Sequence, residues 1–214
     1  MSKQYQSEQE AFWAGNFGDE YTDRSNTPEL LLSREKLLSR ALKSSGNFES
    51  VIEFGANVGM NLVAIKNLFP EVAAAAIEIN SSAILKLKTI KGIKVIHGSI
   101  LESFEAETYD LAMIIGVLIH IDPKYLPVVY ENIYKSTRRY ILIGEYYSRQ
   151  PEEVLYRGHK NKLFKRDFAG EMLDQYLDLR LVDYGFFYHK DQSTNLDDIT
   201  WFLLEKAGTQ LFAF

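Results

Sequence analysis

Val51-Ile52-Glu53-Phe54-Gly55-Ala56-Asn57-Val58-Gly59 decides how this chain is read. Two β-branched residues lead into an acidic residue and a glycine-punctuated turn, and the residues through Leu68 follow as a helix. A strand that ends in a glycine-rich turn at a helix N-terminus lets backbone N–H groups approach a ligand closely. Glu53 at the end of the strand is unsuited to a pyrophosphate, so the expected ligand carries a cationic or hydroxyl-bearing part. A dinucleotide turn needs Gly-x-Gly-x-x-Gly, and the register from Gly55 fails at its second and third glycines. The pattern acidic-x-Gly-x-Gly-x-Gly is met except at the middle glycine. Asn57 stands there, and Asn tolerates a positive φ better than most residues.

Strands and helices alternate outward from this turn. Strands are expected at Val51–Phe54, Val72–Ile79, Ile93–Ile96, Tyr109–Ile115 and Tyr140–Gly144. Helices are expected at Val58–Leu68, Ser81–Thr89, Pro123–Ser136 and, after a long loop, Arg166–Tyr176. Leu179–Tyr188 and Ile199–Leu204 close the chain as two further strands. Tyr109–Ile115 is a continuous apolar run, as in a parallel strand buried on both faces. Ahead of the first strand, Thr27 and Pro28 open a helix with a leucine stripe that Gly46 is expected to end. Ser7–Arg24 is rich in aromatic residues, glycines and charges.

Bulk properties narrow the function classes. A chain of 214 residues fits one compact unit with a full core. The net charge of −5 argues against a general nucleic-acid surface, which is usually basic. Without cysteine there is no disulfide framework and no thiolate metal site. Met1–Glu10 lacks the pattern of a signal peptide, and Leu111–Ile121 is too short and too interrupted to span a bilayer. A cytoplasmic protein without membrane contact is expected.

Parallel strands with right-handed crossovers place ligands outside their carboxyl ends. Glu53, Glu78 and Ser99 fall at three successive strand ends and so share one rim. A carboxylate at the position of Glu78 suits a pair of ribose hydroxyls.

With these residues in place, Val51–Lys206 resembles a class I S-adenosylmethionine-dependent methyltransferase. The resemblance implies a Rossmann-like α/β fold: a seven-stranded, mostly parallel sheet with an antiparallel last strand and helices on both faces. Residues 1–46 would then be an aromatic lid segment and helix, and residues 47–214 the cofactor-binding domain. Three further stretches look like the methyltransferases associated with pseudaminic acid biosynthesis: Phe12–Tyr21, Gly116–Pro123, and Glu145–Tyr147 with Tyr156–His159 and Lys162–Gly170. That narrower resemblance implies a small sugar-type acceptor.

The resemblance also implies residue roles. Gly55, Asn57 and Gly59 would bring backbone against the methionine part of S-adenosylmethionine, with Glu53 facing its ammonium or sulfonium side; alternatively Glu53 only orders the turn. Glu78, with Ile79, would bind the ribose. Ser99 and Ile100 would border the adenine, although an Asp is more usual than Ser in this position, and Gly116 would line the pocket. Tyr21 and Arg24 would lie near the cofactor carboxylate, or the aromatic segment would simply pin the N-terminus. His120, with a pKa expected near neutrality, would be a general base or shape the pocket.

The basic run Arg149, Arg157, His159, Lys160, Lys162, Lys165 and Arg166 suggests an anionic acceptor, with Arg157 and His159 as its contacts. The lysines would form a solvated face. Tyr146, Tyr147 and Tyr188 would line the acceptor pocket or belong to the surface. A sulfonium is already a good leaving group, so no metal is expected to be required, and S-adenosylhomocysteine would be the product. A protein or peptide acceptor, or an unrelated metabolite, is the alternative.

Overall fold

The computed structural model describes residues 5–24, 27–103 and 107–208, with the Arg24 side chain outside the described part. Seven strands form one sheet: β1 (Ser50–Phe54), β2 (Ala73–Glu78), β3 (Ile93–His97), β4 (Tyr109–Ile115), β5 (Thr137–Glu145), β8 (Leu179–Phe187) and β9 (Ile199–Lys206). Their order is β3-β2-β1-β4-β5-β9-β8. β1 pairs parallel with β2 and β4, and β9 runs antiparallel between β5 and β8. The strand order reverses between β1 and β4, and at such a reversal the crossover connections leave a crevice above the carboxyl ends.

Period-2 alternation divides the core. Val51, Leu111 and Met113 face a cluster that includes Leu37 and Leu38 of α3 (Pro28–Ala41) and Leu62 and Ile65 of α4 (Met60–Leu68). Ile52, Phe54 and Ile114 face Val129 and Ile133 of α6 (Leu126–Ser136) and Met172 of α7 (Phe168–Gln175). Helices therefore cover both sides of the sheet, as expected. α5 (Ser81–Leu87) links β2 to β3.

Several boundaries differ from the sequence reading. α4 starts at Met60 rather than Val58, because Gly59 sits in the left-handed region at φ 83° and the helix can only begin after it. α3 ends at Ala41, and Gly46 lies beyond it with its N–H donating to the Tyr140 hydroxyl at 2.9 Å. The helix expected from Pro123 begins as a 3-10 turn, Pro123–Tyr125, because Asp122 accepts from the Lys124 N–H and tightens it. α7 starts at Phe168, where Asp167 accepts from Gly170 N–H as N-cap.

The segment Ser7–Arg24 forms two helices, α1 (Glu8–Ala14) and α2 (Asn16–Arg24). Its aromatic side chains pack inward, over the carboxyl rim. The long loop after β5 holds a two-stranded ribbon of β6 (Glu152–Glu153) and β7 (Phe164–Lys165). Among the described residues no helix is long and apolar enough to cross a membrane.

Candidate active site

The turn after β1 is a run of left-handed and extended backbone. φ is 72° at Gly55, 48° at Asn57 and 83° at Gly59, so Asn57 adopts the conformation that its place in the motif requires. A Cβ at Gly55 would lie 2.7 Å from Val117 Cγ2, and one at Gly59 would lie 2.7 Å from Leu87 Cδ2. Gly55 and Gly59 are therefore closed to side chains on conformational and steric grounds together.

Glu78 at the end of β2 holds this turn. Its carboxylate accepts from the N–H groups of Asn57 (2.7 Å), Ile79 (2.8 Å) and Asn80 (2.7 Å). Burial raises its pKa, and the three donors pull the other way.

A cavity opens beside the turn. Its wall includes Gly55, Asn57, Glu78, Ile79, Ser99, Ile100, Gly116, Tyr21 and His120, so the structure brings together nearly all of the donor-side residues expected from sequence. Gly59 and Glu53 are not part of the wall. Glu53 is buried, and Asn61, which donates to Glu53 Oε1 at 2.6 Å, lies on the wall in front of it. Burial pushes the Glu53 carboxyl up to about 8.

Arg34 was not singled out from sequence, yet it lines the cavity from α3. Among the described residues, the buried polar atoms without a partner include Arg34 Nη1, Glu53 Oε2 and Asn61 Oδ1. Arg34 Nη1 is a donor, Asn61 Oδ1 an acceptor, and Glu53 Oε2 an acceptor once the carboxyl is ionised; in a folded interior such groups are normally satisfied. The signal was present in the sequence. Arg34 falls three and four residues from Leu30, Leu31, Leu37 and Leu38, in the middle of an otherwise apolar stripe.

The opposite end of the rim is roofed by rings. Trp13 lies 4.7 Å from His120, 5.4 Å from Tyr21 and 6.3 Å from Tyr156, and Tyr156 lies 4.8 Å from His120. Phe12 and Phe17 lie 5.1 and 5.9 Å from His159. Asn80 ties the roof to the rim through its side-chain amide, which donates to the Trp13 carbonyl at 3.1 Å and to Asp19 at 3.0 Å.

His120 sits in a 3-10 turn, Leu118–His120, directly after β4. Glu145, at the end of β5, fixes that turn by accepting from Val117 N–H (2.9 Å) and Leu118 N–H (2.8 Å), and burial pushes its carboxyl up to about 8. The His120 Nδ1 is 2.6 Å from the Lys162 carbonyl, which requires the proton on Nδ1 and leaves the Nε2 lone pair free. Burial drives the imidazole down to about 4 rather than leaving it near neutrality.

The acceptor-side residues expected from sequence do not converge in the same way. Tyr146, Tyr147, Arg157, His159 and Tyr188 are all absent from the cavity wall. The Tyr146 hydroxyl donates to Asp197 at 2.7 Å, while Tyr147 and Tyr188 are exposed. Arg157 occupies a left-handed turn position at φ 49°, with its guanidinium 5.8 Å from the Tyr156 ring. In the basic run, Lys162 pairs with Glu8, Lys165 with Glu152 and Arg166 with Glu171. Arg24, placed near the cofactor carboxylate from sequence, falls outside the described side chains.

Solved structures that this chain resembles include several methyltransferases. One is the plantazolicin methyltransferase BpumL in complex with S-adenosylhomocysteine (TM-score 0.64, 15% identity, covering 92% of this chain and 93% of that one). A second is the magnesium protoporphyrin IX methyltransferase ChlM from Synechocystis PCC 6803, also with S-adenosylhomocysteine (0.68, 9% identity, 92% and 97%). A third is the N-methyltransferase NodS from Bradyrhizobium japonicum WM9, with the same ligand (0.61, 17% identity, 87% and 97%). The chain has the Rossmann-like class I methyltransferase fold. At these identities the likeness concerns architecture, and the cavity of this chain lies on the carboxyl rim of that fold. No protein-family model and no curated protein sequence matches the chain.

Proposed function

We propose that this protein is an S-adenosylmethionine-dependent methyltransferase acting on a small, anionic, sugar-type acceptor of nonulosonic acid biosynthesis. The observation that carries the donor assignment is the trio of unpartnered buried atoms on Arg34, Glu53 and Asn61. An unsatisfied buried polar group costs about 1–3 kcal/mol. A zwitterionic amino acid end offers a carboxylate to Arg34 and an ammonium to Asn61 and Glu53, and so would satisfy both kinds. Glu78 would hold the ribose hydroxyls, and Ile79, Ser99 and Ile100 would border the base. When bound, S-adenosylmethionine supplies an electrophilic methyl group.

The protein's own contribution is alignment and desolvation under the aromatic roof. An acceptor hydroxyl would donate to His120 Nε2. The imidazole remains neutral across the physiological range, so its lone pair is always available. Any positive charge it gathers faces the rings of Trp13 and Tyr156, a favourable cation–π arrangement. Arg157 would pair with the acceptor's carboxylate. It has no ion-pair partner among the described residues, unlike Lys162, Lys165 and Arg166. The sugar-type acceptor itself rests on the resemblance of Tyr156–His159 and Lys162–Gly170 to pseudaminic acid-associated methyltransferases.

A larger acceptor, such as a peptide, is the second reading. It is favoured by the exposed rings of Tyr184 and Phe186 on β8 and of Tyr147 and Tyr188 just beyond the ends of β5 and β8, which reach the same rim. Incubation with labelled S-adenosylmethionine and panels of nonulosonic acids, sugar nucleotides and cell extract, read by mass spectrometry, separates the two. Methylated sugar acid supports the first reading. Label confined to protein or peptide replaces it with the second.

A further inference from the structure

We infer that Glu10 reads the 6-amino group of the donor's adenine and so sets the base specificity of the site. This rests on the donor assignment above. Successive strand ends order the ligand along the rim: Arg34 and Asn61 beside the turn after β1, then Glu78 after β2, then Gly98, Ser99, Ile100 and Leu101 after β3. Neighbouring parallel strands lie about 4.8 Å apart. The end of β3 is therefore roughly one ribose and one base away from the methionine end. Ile79, Ile100, Leu101 and Ile121 give that part of the cavity apolar walls suited to a flat ring.

The polar edge of the ring must then be met by what remains. The Ser99 hydroxyl is already engaged: it donates to Glu10 Oε1 and accepts from Leu101 N–H at 2.9 Å. Its role is to hold Glu10. Glu10 comes from α1, is buried, and contributes to the same cavity wall. Its other oxygen accepts from Gln6 N–H at 2.5 Å. Each carboxylate oxygen keeps a further lone pair, and an ionised carboxylate offers acceptors alone. That chemistry matches an exocyclic amine and opposes a 6-oxo base, which would set acceptor against acceptor.

The carboxylate at the end of β3 thus comes from 89 positions earlier in the chain. A capping role alone would not account for this placement. In the Ser7-x-x-Glu10 pattern the glutamate side chain normally returns to the cap's own N–H; here one oxygen returns to the neighbouring Gln6 N–H and the other reaches Ser99.

The test is calorimetric binding of S-adenosylhomocysteine and of its 6-oxo (inosine) analogue. Hydrogen bonds to charged groups are worth roughly one to two decades in affinity. The wild type should prefer the adenine compound by about 30-fold or more. Glu10→Ala should bring the ratio to within about 3-fold. Glu10→Gln, whose amide can turn either face to the base, should narrow it while strengthening the 6-oxo compound. Glu8→Ala, on the same helix but with its carboxylate mostly exposed, should leave the ratio unchanged.

An unchanged ratio in both Glu10 variants, with tight wild-type binding, overturns the inference and leaves the donor assignment standing. A collapse of the ratio in Glu8→Ala also overturns it, because displacement of α1 would then be the cause. Failure of the wild type to bind S-adenosylhomocysteine overturns the donor assignment and this inference with it.

Discussion

The half of the rim proposed to hold the donor, from the turn after β1 to the turn after β3, is built around a backbone turn. Left-handed residues shape the turn after β1, and Glu78 ties one of them, Asn57, to the N–H groups of Ile79 and Asn80 after β2. The acceptor half is built from side chains brought by distant segments: α1 and α2, the turn carrying His120, and the loop between β5 and α7. Backbone geometry tolerates few sequences, whereas a roof of rings can be assembled from many. On the proposed function, the first half would keep one ligand while the second would be free to change its acceptor.

Substitutions in the donor half should accordingly have the larger effects. Glu78→Ala removes the acceptor of three buried N–H groups, so we expect at least a 100-fold loss in S-adenosylhomocysteine affinity and a destabilisation of about 2–4 kcal/mol. Calorimetry and chemical denaturation read the two effects separately. Gly55→Ala imposes both a positive φ and a 2.7 Å contact with Val117. It should cost about 1–3 kcal/mol and lower the melting temperature by several degrees.

Arg34→Met sharpens the comparison, because its two expected effects differ in sign. Donor affinity should fall roughly 10- to 100-fold, while the ligand-free protein keeps or gains stability by losing an unpartnered buried donor.

The pH dependence follows from the buried carboxyls. Glu53 and Glu145 titrate near 8 in the folded protein against an ordinary 4.5. Between those values the folded state binds more protons than the unfolded one, so their contribution to stability is full below 4.5 and is lost as pH rises toward 8. His120, lowered from 6.5 to about 4, acts oppositely: its contribution is present above 6.5 and is lost as pH falls toward 4. The melting temperature of the ligand-free protein should therefore fall from pH 6.5 to 8, and Glu53→Gln with Glu145→Gln should flatten that slope. Donor affinity should rise over the same interval, by at most tenfold per unit, since an ammonium selects ionised Glu53. A flat affinity profile would separate Glu53 from the donor's amine.

The smallest donor-side effect is expected in the acceptor half. Arg157→Ala should change S-adenosylhomocysteine affinity by less than about 3-fold and raise the KM of an anionic acceptor roughly tenfold. An equal loss of donor binding would erase the distinction between the halves.

The same division explains what was legible in the sequence. Gly55, Asn57, Gly59 and Glu78 are fixed by strand ends and turn conformation, which are local, and the cavity forms around them. Glu53 was legible as the end of a strand, but its place behind Asn61 depends on how α4 packs. Arg34 and Glu10 belong to helices whose position over the rim is decided by tertiary contacts, so only indirect signs marked them: a charge in a leucine stripe and a Ser-x-x-Glu helix start. The titration of His120 could not be read from spacing, because its burial depends on Trp13 and Tyr156 arriving from two remote segments. The basic run is thinned for the same reason. Glu8, Glu152 and Glu171 pair with Lys162, Lys165 and Arg166 only once the chain is folded.

The most direct measurement compares S-adenosylhomocysteine with 5′-methylthioadenosine, which keeps the base and ribose but lacks the amino acid end. If Arg34, Asn61 and Glu53 form the zwitterion site, calorimetry should show the first binding at least 100-fold more tightly than the second, and Arg34→Met should remove most of that difference. Equal binding of the two compounds by the wild type, or binding of neither, would contradict the assignment of this rim as a donor site.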